Sequence, residues 1–148
     1  QRRHFVANKY RSVCGRISYY FYREILLLET RKSINFKIGN KVEDSIHQID
    51  IWLDDILLNP FDNNAYLPQF ISSMKNELMQ LQQRKINPNN FFLDLGPTTD
   101  DCSARINLKS DIAEVIFELD ENRVYKLTIG IEELISIYQS VINKLSSL

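Results

Sequence analysis

The side chains best suited to chemistry in this 148-residue chain are carboxylates. Four of them follow one another at short spacing, at Asp50, Asp54, Asp55 and Asp62. Neighbouring carboxylates can hold a divalent cation or exchange protons with a substrate. The stretch lacks the central glycine and the terminal glutamate of an EF-hand loop. Asp54-Asp55 interrupts an apolar run, so we predict a turn whose carboxylates bond local backbone, with contact to a partner protein as the main alternative.

A second acidic group lies in the connection between Gly96 and Ser103. Glycine and threonine after an apolar run would suit a phosphate-binding loop, but the G-x-x-x-x-G-K-[ST] pattern is absent and no helix is predicted to follow. Asp100 and Asp101 would repel a phosphate. We therefore predict a hairpin connection whose exposed acids could meet a basic partner.

Two cysteines and two histidines are the remaining reactive side chains, at Cys14, Cys102, His4 and His47. A cysteine beside a histidine could form a nucleophilic pair, and all four residues together would be needed for a zinc site. They are widely separated along the chain, so the sequence favours two free thiols over a single long-range disulfide and predicts neither a catalytic pair nor a metal site. We predict no cofactor and no enzymatic activity.

Charge is distributed unevenly along the chain. Residues 1–32 carry eight Lys or Arg and two Glu, a net charge of +6, whereas residues 33–148 carry ten basic and seventeen acidic residues, a net charge of −7. We therefore predict a basic, aromatic N-terminal arm (residues 1–32) joined to a single acidic domain (residues 33–148). Such asymmetry bears on partners and association rates rather than on the fold.

The arm has two possible uses. Cations neutralise phosphates and aromatic rings stack on bases, so the arm has the composition of a single-stranded nucleic-acid-binding segment. The favoured alternative is that Tyr19–Leu28, within a helix predicted from about Ser18 to Thr30, packs on the sheet while the basic residues dock on the acidic domain or are solvated. The cations of the nucleic-acid hypothesis are Arg2, Arg3, Lys9, Arg11 and Arg16.

Hydrophobic periodicity predicts the elements that hold these residues. Alternation of apolar and polar residues indicates β-strands, and strands that follow one another without a helix between each pair favour an α+β fold. We predict a mainly antiparallel sheet of four to six strands with two or three helices packed on it. The predicted strands are Ile34–Ile38, Ile46–Leu53, Ile56–Leu58, Phe91–Leu95, Ala104–Leu108, Ala113–Leu119 and Tyr125–Ile129.

Two helices are predicted from apolar stripes at steps of three and four residues. The first runs from about Asn63 to Gln83, with Asn63 or Asn64 as the cap, Pro68 in the first turn, and Glu77 among the residues that face solvent. The second runs from about Ile131 to Leu145, and its predicted stripe consists of Ile131, Leu134, Ile135, Tyr138, Val141, Ile142 and Leu145.

Trp52 occupies a distinctive place in the predicted strand Ile46–Leu53. If Ile49 and Ile51 face the core, Trp52 faces the other side of the sheet. There it is either covered by the first or last helix or exposed as an anchor with an acidic rim, which is the composition of a protein-contact hot spot.

Three segments, Asp50–Asp55, Asn64–Phe70 and Phe92–Asp100, are similar to stretches in small α+β immunity proteins of bacterial contact-dependent inhibition and polymorphic-toxin systems. The resemblance covers residues 34–145 at most. It implies a cytoplasmic, non-enzymatic protein that binds a cognate toxin and blocks it. A nuclease domain with a basic cleft is one candidate toxin, because an acidic surface would steer association with it and cover the cleft.

The predicted contact residues follow from this resemblance together with the charge distribution. Trp52 is the anchor, and the electrostatic contacts are Asp54, Asp55, Asp62, Asp94, Asp100 and Asp101. Nucleic acid is a partner only under the alternative hypothesis. No membrane partner is expected, because the sequence has no run of 18 apolar residues.

Overall fold

The computed structural model describes residues 30–90, 92–93, 102–120 and 122–148. In this part of the chain it confirms the α+β class, with eight strands and two helices. In chain order they are β1 (Thr30–Arg31), β2 (Ile34–Glu43), β3 (Ile46–Leu53), β4 (Ile56–Leu57), β5 (Asn64–Tyr66), α1 (Leu67–Gln83), β6 (Ser103–Lys109), β7 (Ile112–Asp120), β8 (Arg123–Gly130) and α2 (Ile131–Ser146).

The strands form two four-stranded sheets instead of the single sheet expected from the sequence. One, which we call the meander sheet, has the order β1-β8-β7-β6 and is antiparallel except for the parallel pair β1 and β8. In the other, which we call the β3-centred sheet, β2 pairs with one side of β3, and β4 and β5 pair with the two ends of its other side. Only two residues of chain separate β1 from β2, so the change of sheet occurs at Lys32 and Ser33.

A buried amide fills the gap between β4 and β5. Asn59 is 3% exposed; its Oδ1 accepts a hydrogen bond from the backbone N of Ile51 (3.1 Å), and its Nδ2 donates to the carbonyl of Ile49 (2.8 Å). The side chain therefore bonds the backbone of β3 where no strand lies beside it. Buried backbone groups are almost always paired in this way.

Tight turns join the antiparallel strands where the sequence predicted them. Asp54-Asp55 connects β3 to β4 and Ser110-Asp111 connects β6 to β7, with φ of 52° at Asp54 and 56° at Ser110. The predicted strand end at Gly39 was wrong, because β2 continues to Glu43 through irregular pairing. A Cβ at Gly39 would lie 3.3 Å from the Cβ of Gln48, so glycine permits a close approach to β3 inside the strand.

The start of α1 differs from the prediction. Asn64 belongs to β5, and the helix begins at Leu67 after an N-cap at Tyr66 that makes no side-chain hydrogen bond, so neither Asn63 nor Asn64 caps it. Pairing of β5 with β3 keeps Asn64 extended. Pro68 lies in the first turn as predicted, and the helix ends at Arg84 in the left-handed conformation (φ 57°).

The end of the chain follows the prediction closely. α2 begins at Ile131, and its buried residues are the seven of the predicted stripe. They join a continuous hydrophobic core with the inner faces of both sheets and the buried face of α1. Of the predicted N-terminal helix only Thr30 is described, and it lies in β1 because it pairs with Lys126. Of the predicted strand Phe91–Leu95, the structure describes Phe92 and Leu93, and Phe92 forms an isolated bridge with Ala104.

The prediction that Glu77 faces solvent was wrong. Glu77 is 7% exposed; its Oε1 accepts from the hydroxyl of Tyr138 (2.8 Å), and its Oε2 accepts from the backbone N of Leu93 (2.7 Å). Tyr138 is fully buried and its ring lies against Phe36 and Phe92. Burial, followed by the charge and hydrogen bond of Glu77, raises the pKa of Tyr138 well above its ordinary value. Two helices and the Phe92–Leu93 segment are thus joined by one buried polar cluster.

Among the described residues no helix is long and apolar enough to cross a membrane.

Candidate protein-contact surface

Trp52 lies on the face of the β3-centred sheet that points away from the core. Along β3, Ile49, Ile51 and Leu53 are buried, and Trp52 alternates with them and is half-buried. α2 packs on the opposite face, because Tyr138 contacts Phe36, the cross-strand partner of Ile51. We call the face that contains Trp52 the outer face; its other members from β3, β4 and β5 are Ile46, Gln48, Asp50, Leu57, Asn64 and Tyr66.

Asp54 uses its carboxylate within the chain. It accepts hydrogen bonds from Ser33 Oγ (2.7 Å), Ser33 N (3.1 Å) and Lys32 N (3.2 Å), and its own backbone N donates to the Ser33 carbonyl (3.0 Å). The hydroxyl and the two backbone N–H groups lower the pKa of Asp54, with a smaller contribution from the charge of Arg31. This carboxylate therefore fastens the β3–β4 turn to the segment where the chain changes sheets.

The other predicted acids of this region lie around the same strand. Asp55 is exposed in the same turn as Asp54. Asp62 is exposed in the connection from β4 to β5, where its Oδ1 accepts from the backbone N of Asn64 (3.0 Å). Asp50 lies on β3 itself and accepts from Asn63 Nδ2 (2.8 Å). The β3-centred sheet thus brings Trp52 and its neighbouring acids to one region.

Two aromatic residues of this region were missed in the sequence. Phe61 is 83% exposed and Tyr66, which pairs with Ile46 across β3 and β5, is 47% exposed. The sequence did contain a signal that Phe61 is exposed. It lies between Pro60 and Asp62, in a stretch of turn-forming residues that lacks the apolar periodicity of a core-facing element. Tyr66 was assigned to a helix, which hid its position on a strand.

Acidic residues are in excess in this region, with Lys37 of β2 paired with Asp50 across the outer face and Lys41 Nζ 3.4 Å from Asp44 Oδ1. Between Lys41 and Lys75 the chain contains no Lys or Arg and six acidic residues: Glu43, Asp44, Asp50, Asp54, Asp55 and Asp62. This interval covers the end of β2 and all of β3, β4 and β5. An excess of one sign of charge on a surface attracts an oppositely charged partner over a longer range than any single pair.

Several predicted residues lie outside the described part of the chain. They are Arg2, Arg3, Lys9, Arg11 and Arg16 of the basic arm, the tyrosines at 19, 20 and 22, and Asp94, Asp100 and Asp101 of the acidic loop. Their predicted roles stay predictions. His4 and Cys14 also lie outside it.

Of the four cysteines and histidines, the structure describes His47 and Cys102, and they lie at different sheets. His47 is 8% exposed in β3 of one sheet, and its Nδ1 has no hydrogen-bond partner. Cys102 is a half-buried cysteine just before β6 of the other sheet, and its Sγ donates to the carbonyl of Ser103 (3.7 Å). In the described ranges no group of three or more His, Cys, Asp or Glu is arranged to hold a metal ion.

Comparison with protein-family models, curated proteins and solved structures found no match for this chain. Its function must therefore be argued from the chemistry of its own surface. Around β3 that surface offers carboxylates and the rings of Trp52, Phe61 and Tyr66, with Lys37 of β2 beside Asp50. Such a set suits contact with a basic partner better than contact with a polyanion.

Proposed function

We propose that this chain is a non-enzymatic inhibitor, an immunity protein that neutralises a cognate bacterial toxin through the acidic region around β3. The supporting observation is that residues 42–74, which include β3, β4 and β5, contain six acids and no Lys or Arg, together with three aromatic residues that are exposed or half-buried, Trp52, Phe61 and Tyr66. Aromatic anchors within a polar rim are the usual composition of strong protein contacts.

The acids would act mainly on the rate of association. A basic cleft, such as that of a nuclease domain, would be drawn to the region by charge before any close contact forms. Asp54 is already bonded to Ser33 and so holds the turn, whereas Asp55 next to it is exposed. Asp55 is therefore the residue of this turn that we assign to electrostatic contact.

The aromatic residues would act mainly on the lifetime of the complex. Phe61 exposes most of its ring, and burying an aromatic side chain at an interface removes a large apolar area from water. Trp52 is half-buried against the sheet, so its ring is held in place before a partner arrives. Pre-ordered side chains lose less conformational entropy on binding.

The test begins with the neighbouring genes, one of which the proposal expects to encode a toxin domain. Association of that domain with the full chain, and its dissociation, are then followed by biolayer interferometry at several salt concentrations. Asp55→Lys should slow association roughly 3- to 10-fold at low salt, because it reverses a charge in the steering field. Asp111→Lys is the matched control, since Asp111 has the same place in a two-residue turn of the other sheet. Phe61→Ala should speed dissociation roughly tenfold or more, as loss of an anchor does.

Three outcomes would contradict the proposal. If Asp55→Lys and Asp111→Lys slow association equally, only net charge matters and the acidic region is not the contact surface. If the toxin domain neither binds the chain nor is neutralised when both are expressed together, the inhibitor function is wrong. Salt-sensitive binding to a single-stranded oligonucleotide that is lost in a variant of Arg2, Arg3 and Arg11 would favour the nucleic-acid hypothesis instead.

A further inference from the structure

The face of the meander sheet that points away from the core contains buried side chains. In β8, Val124 is 5% exposed and Lys126 is 9% exposed. Their neighbour Leu127 belongs to the core and pairs with the core residue Val115, so Val124 and Lys126 lie on the opposite face of the sheet. Val124 is buried and yet is not a member of the core cluster.

Burial at these positions requires a cover. The cross-strand partners on the same face, Ile116 beside Lys126 and Glu118 beside Val124, are also only partly exposed. Lysine is among the residues least often buried, and a sheet face in water exposes its alternate residues. In the described part of the chain both helices bury their apolar stripes in the core, on the other side of the sheet.

We propose that residues 1–29 of the same chain cover this face. β1 lies parallel to β8, with Thr30 opposite Lys126, so residue 29 is joined directly to the edge of the covered face. Four strands are about 14 Å across, and twelve residues of helix would span about 18 Å, so the segment is long enough. Its most apolar stretch has Ile17, Phe21, Ile25 and Leu28 at steps of three and four residues.

Chain connectivity, and not charge, selects this occupant. The covered face carries both signs: Glu114 and Glu118 from β7, and Arg105, Lys109 and Lys126 from the strands on either side of it. Lys109 Nζ lies 3.0 Å from Glu114 Oε1 within the face. Residues 1–29 are already joined to the edge of this face through β1, whereas a second copy would first have to associate.

This arrangement has a consequence for function. Apolar and aromatic side chains that pack on the meander sheet are not available to stack on bases, so the N-terminal segment loses the groups that single-strand binding requires. The β3-centred sheet, which contains the acids and the exposed Phe61, is then the surface left for a partner. The proposal does not depend on the identity of that partner.

Thiol reactivity in the full chain tests the cover. In a Cys14→Ser, Cys102→Ser background, Val124→Cys should react with a thiol reagent at least about 100-fold more slowly than Asn35→Cys, since protection reflects the need for local opening. Asn35 is the control because it is exposed on β2 of the other sheet. Adding Phe21→Asp and Ile25→Asp should speed the reaction of Val124→Cys roughly tenfold or more and leave Asn35→Cys unchanged.

A cysteine at the core position Val115 separates uncovering from unfolding. Val115→Cys should stay slow in the Phe21→Asp, Ile25→Asp variant, because Val115 faces the core that the segment does not touch. A second measurement avoids destabilising changes altogether. Oxidation with copper phenanthroline should join Ile25→Cys to Val124→Cys within one chain, because thiols in contact form a disulfide without a linker, and should not join Ile25→Cys to Asn35→Cys.

The proposal is overturned if Val124→Cys reacts as fast as Asn35→Cys, or if the two aspartates leave its rate unchanged. It is also overturned if protection of Val124→Cys rises with protein concentration, which would identify a second copy as the cover. Equal cross-linking of Ile25→Cys to both partners would overturn it independently of any effect on folding.

Discussion

At the scale of single residues, Asp54 and Asp55 show that adjacent carboxylates can have different roles. Both were predicted in a turn, and the turn is confirmed. Asp54 bonds Lys32 and Ser33, which are 22 and 21 residues away in the sequence, while Asp55 is exposed. Turn propensity is local and predicts the turn well. It could not show which of the two carboxylates bonds the backbone, because the donors come from a distant strand connection.

Asp54→Ala should therefore destabilise the fold by about 1 kcal/mol at neutral pH, the usual net value of a few exposed hydrogen bonds. Asp55→Ala should change stability little. Folding lowers the pKa of Asp54, so its contribution is present above the ordinary pKa of about 4 and is lost as pH falls through the lower folded value. Urea denaturation across this range should show the difference between wild type and Asp54→Ala shrinking with acid. If the difference in stability between wild type and Asp54→Ala does not depend on pH, the form of Asp54 that accepts these hydrogen bonds is not the ionised one.

At the scale of elements, the two helices were predicted with unequal success. In α2 every residue of the apolar stripe is buried, because periodicity alone determines which face packs. In α1, Glu77 lies between Met74 and Leu81 at the spacing of the stripe, yet its charge placed it with the solvent-facing residues. Its partners are 61 residues away at Tyr138 and 16 away at Leu93. Contacts at such separations leave no periodic signal.

The buried bond between α1 and α2 gives the prediction at this scale. Tyr138→Phe keeps the ring and removes the hydroxyl that donates to Glu77, so it should lower the free energy of unfolding by about 1–2 kcal/mol. Tyr125→Phe, on the half-buried Tyr125 of β8, is the control and should change it by less than about 0.5 kcal/mol.

The same variant has a signature at high pH. Folding raises the pKa of Tyr138. The stabilisation from the neutral phenol is therefore fully present below the ordinary pKa of about 10, and it is lost as pH rises toward the pKa of the folded state. The difference between wild type and Tyr138→Phe should thus narrow above about pH 10. Chemical denaturation at several alkaline pH values measures this, and a difference that grows with pH would show that the phenol is not held neutral.

At the scale of the whole molecule, the sequence predicted the class of fold and most strands but not their division between two sheets. Each hairpin has a local signal in its turn and its alternation. The division depends on Thr30 pairing with Lys126 while Ile34, four residues later, pairs with Leu53. No pattern within Lys32-Ser33 marks that change. Net charge shows a related limit: counting residues revealed an acidic domain, whereas the structure was needed to show that Asp50, Asp54, Asp55 and Asp62 lie on β3 or in the connections beside it.

One core shared by both sheets predicts that they unfold together. The core cluster is continuous from Ile51 of the β3-centred sheet to Val115 of the meander sheet. Ile51→Ala, at a fully buried position, should lower the free energy of unfolding by about 3 kcal/mol. Native-state hydrogen exchange measures the free energy of opening at each amide. For the slowest amides, that free energy should fall by the same amount in β7 as in β3, because both exchange through global unfolding.

The control for this experiment is Ile112→Ala, because Ile112 is 41% exposed at the start of β7 and lies in the meander sheet itself. Ile112→Ala should change the free energy of opening of the slowest amides in either sheet by less than about 1 kcal/mol. If Ile51→Ala lowers the free energy of opening only for amides in β2, β3, β4 and β5, the two sheets open separately. In that event the proposed contact surface around β3 would belong to an independently unfolding unit, and its proposed binding would depend on the stability of that unit alone.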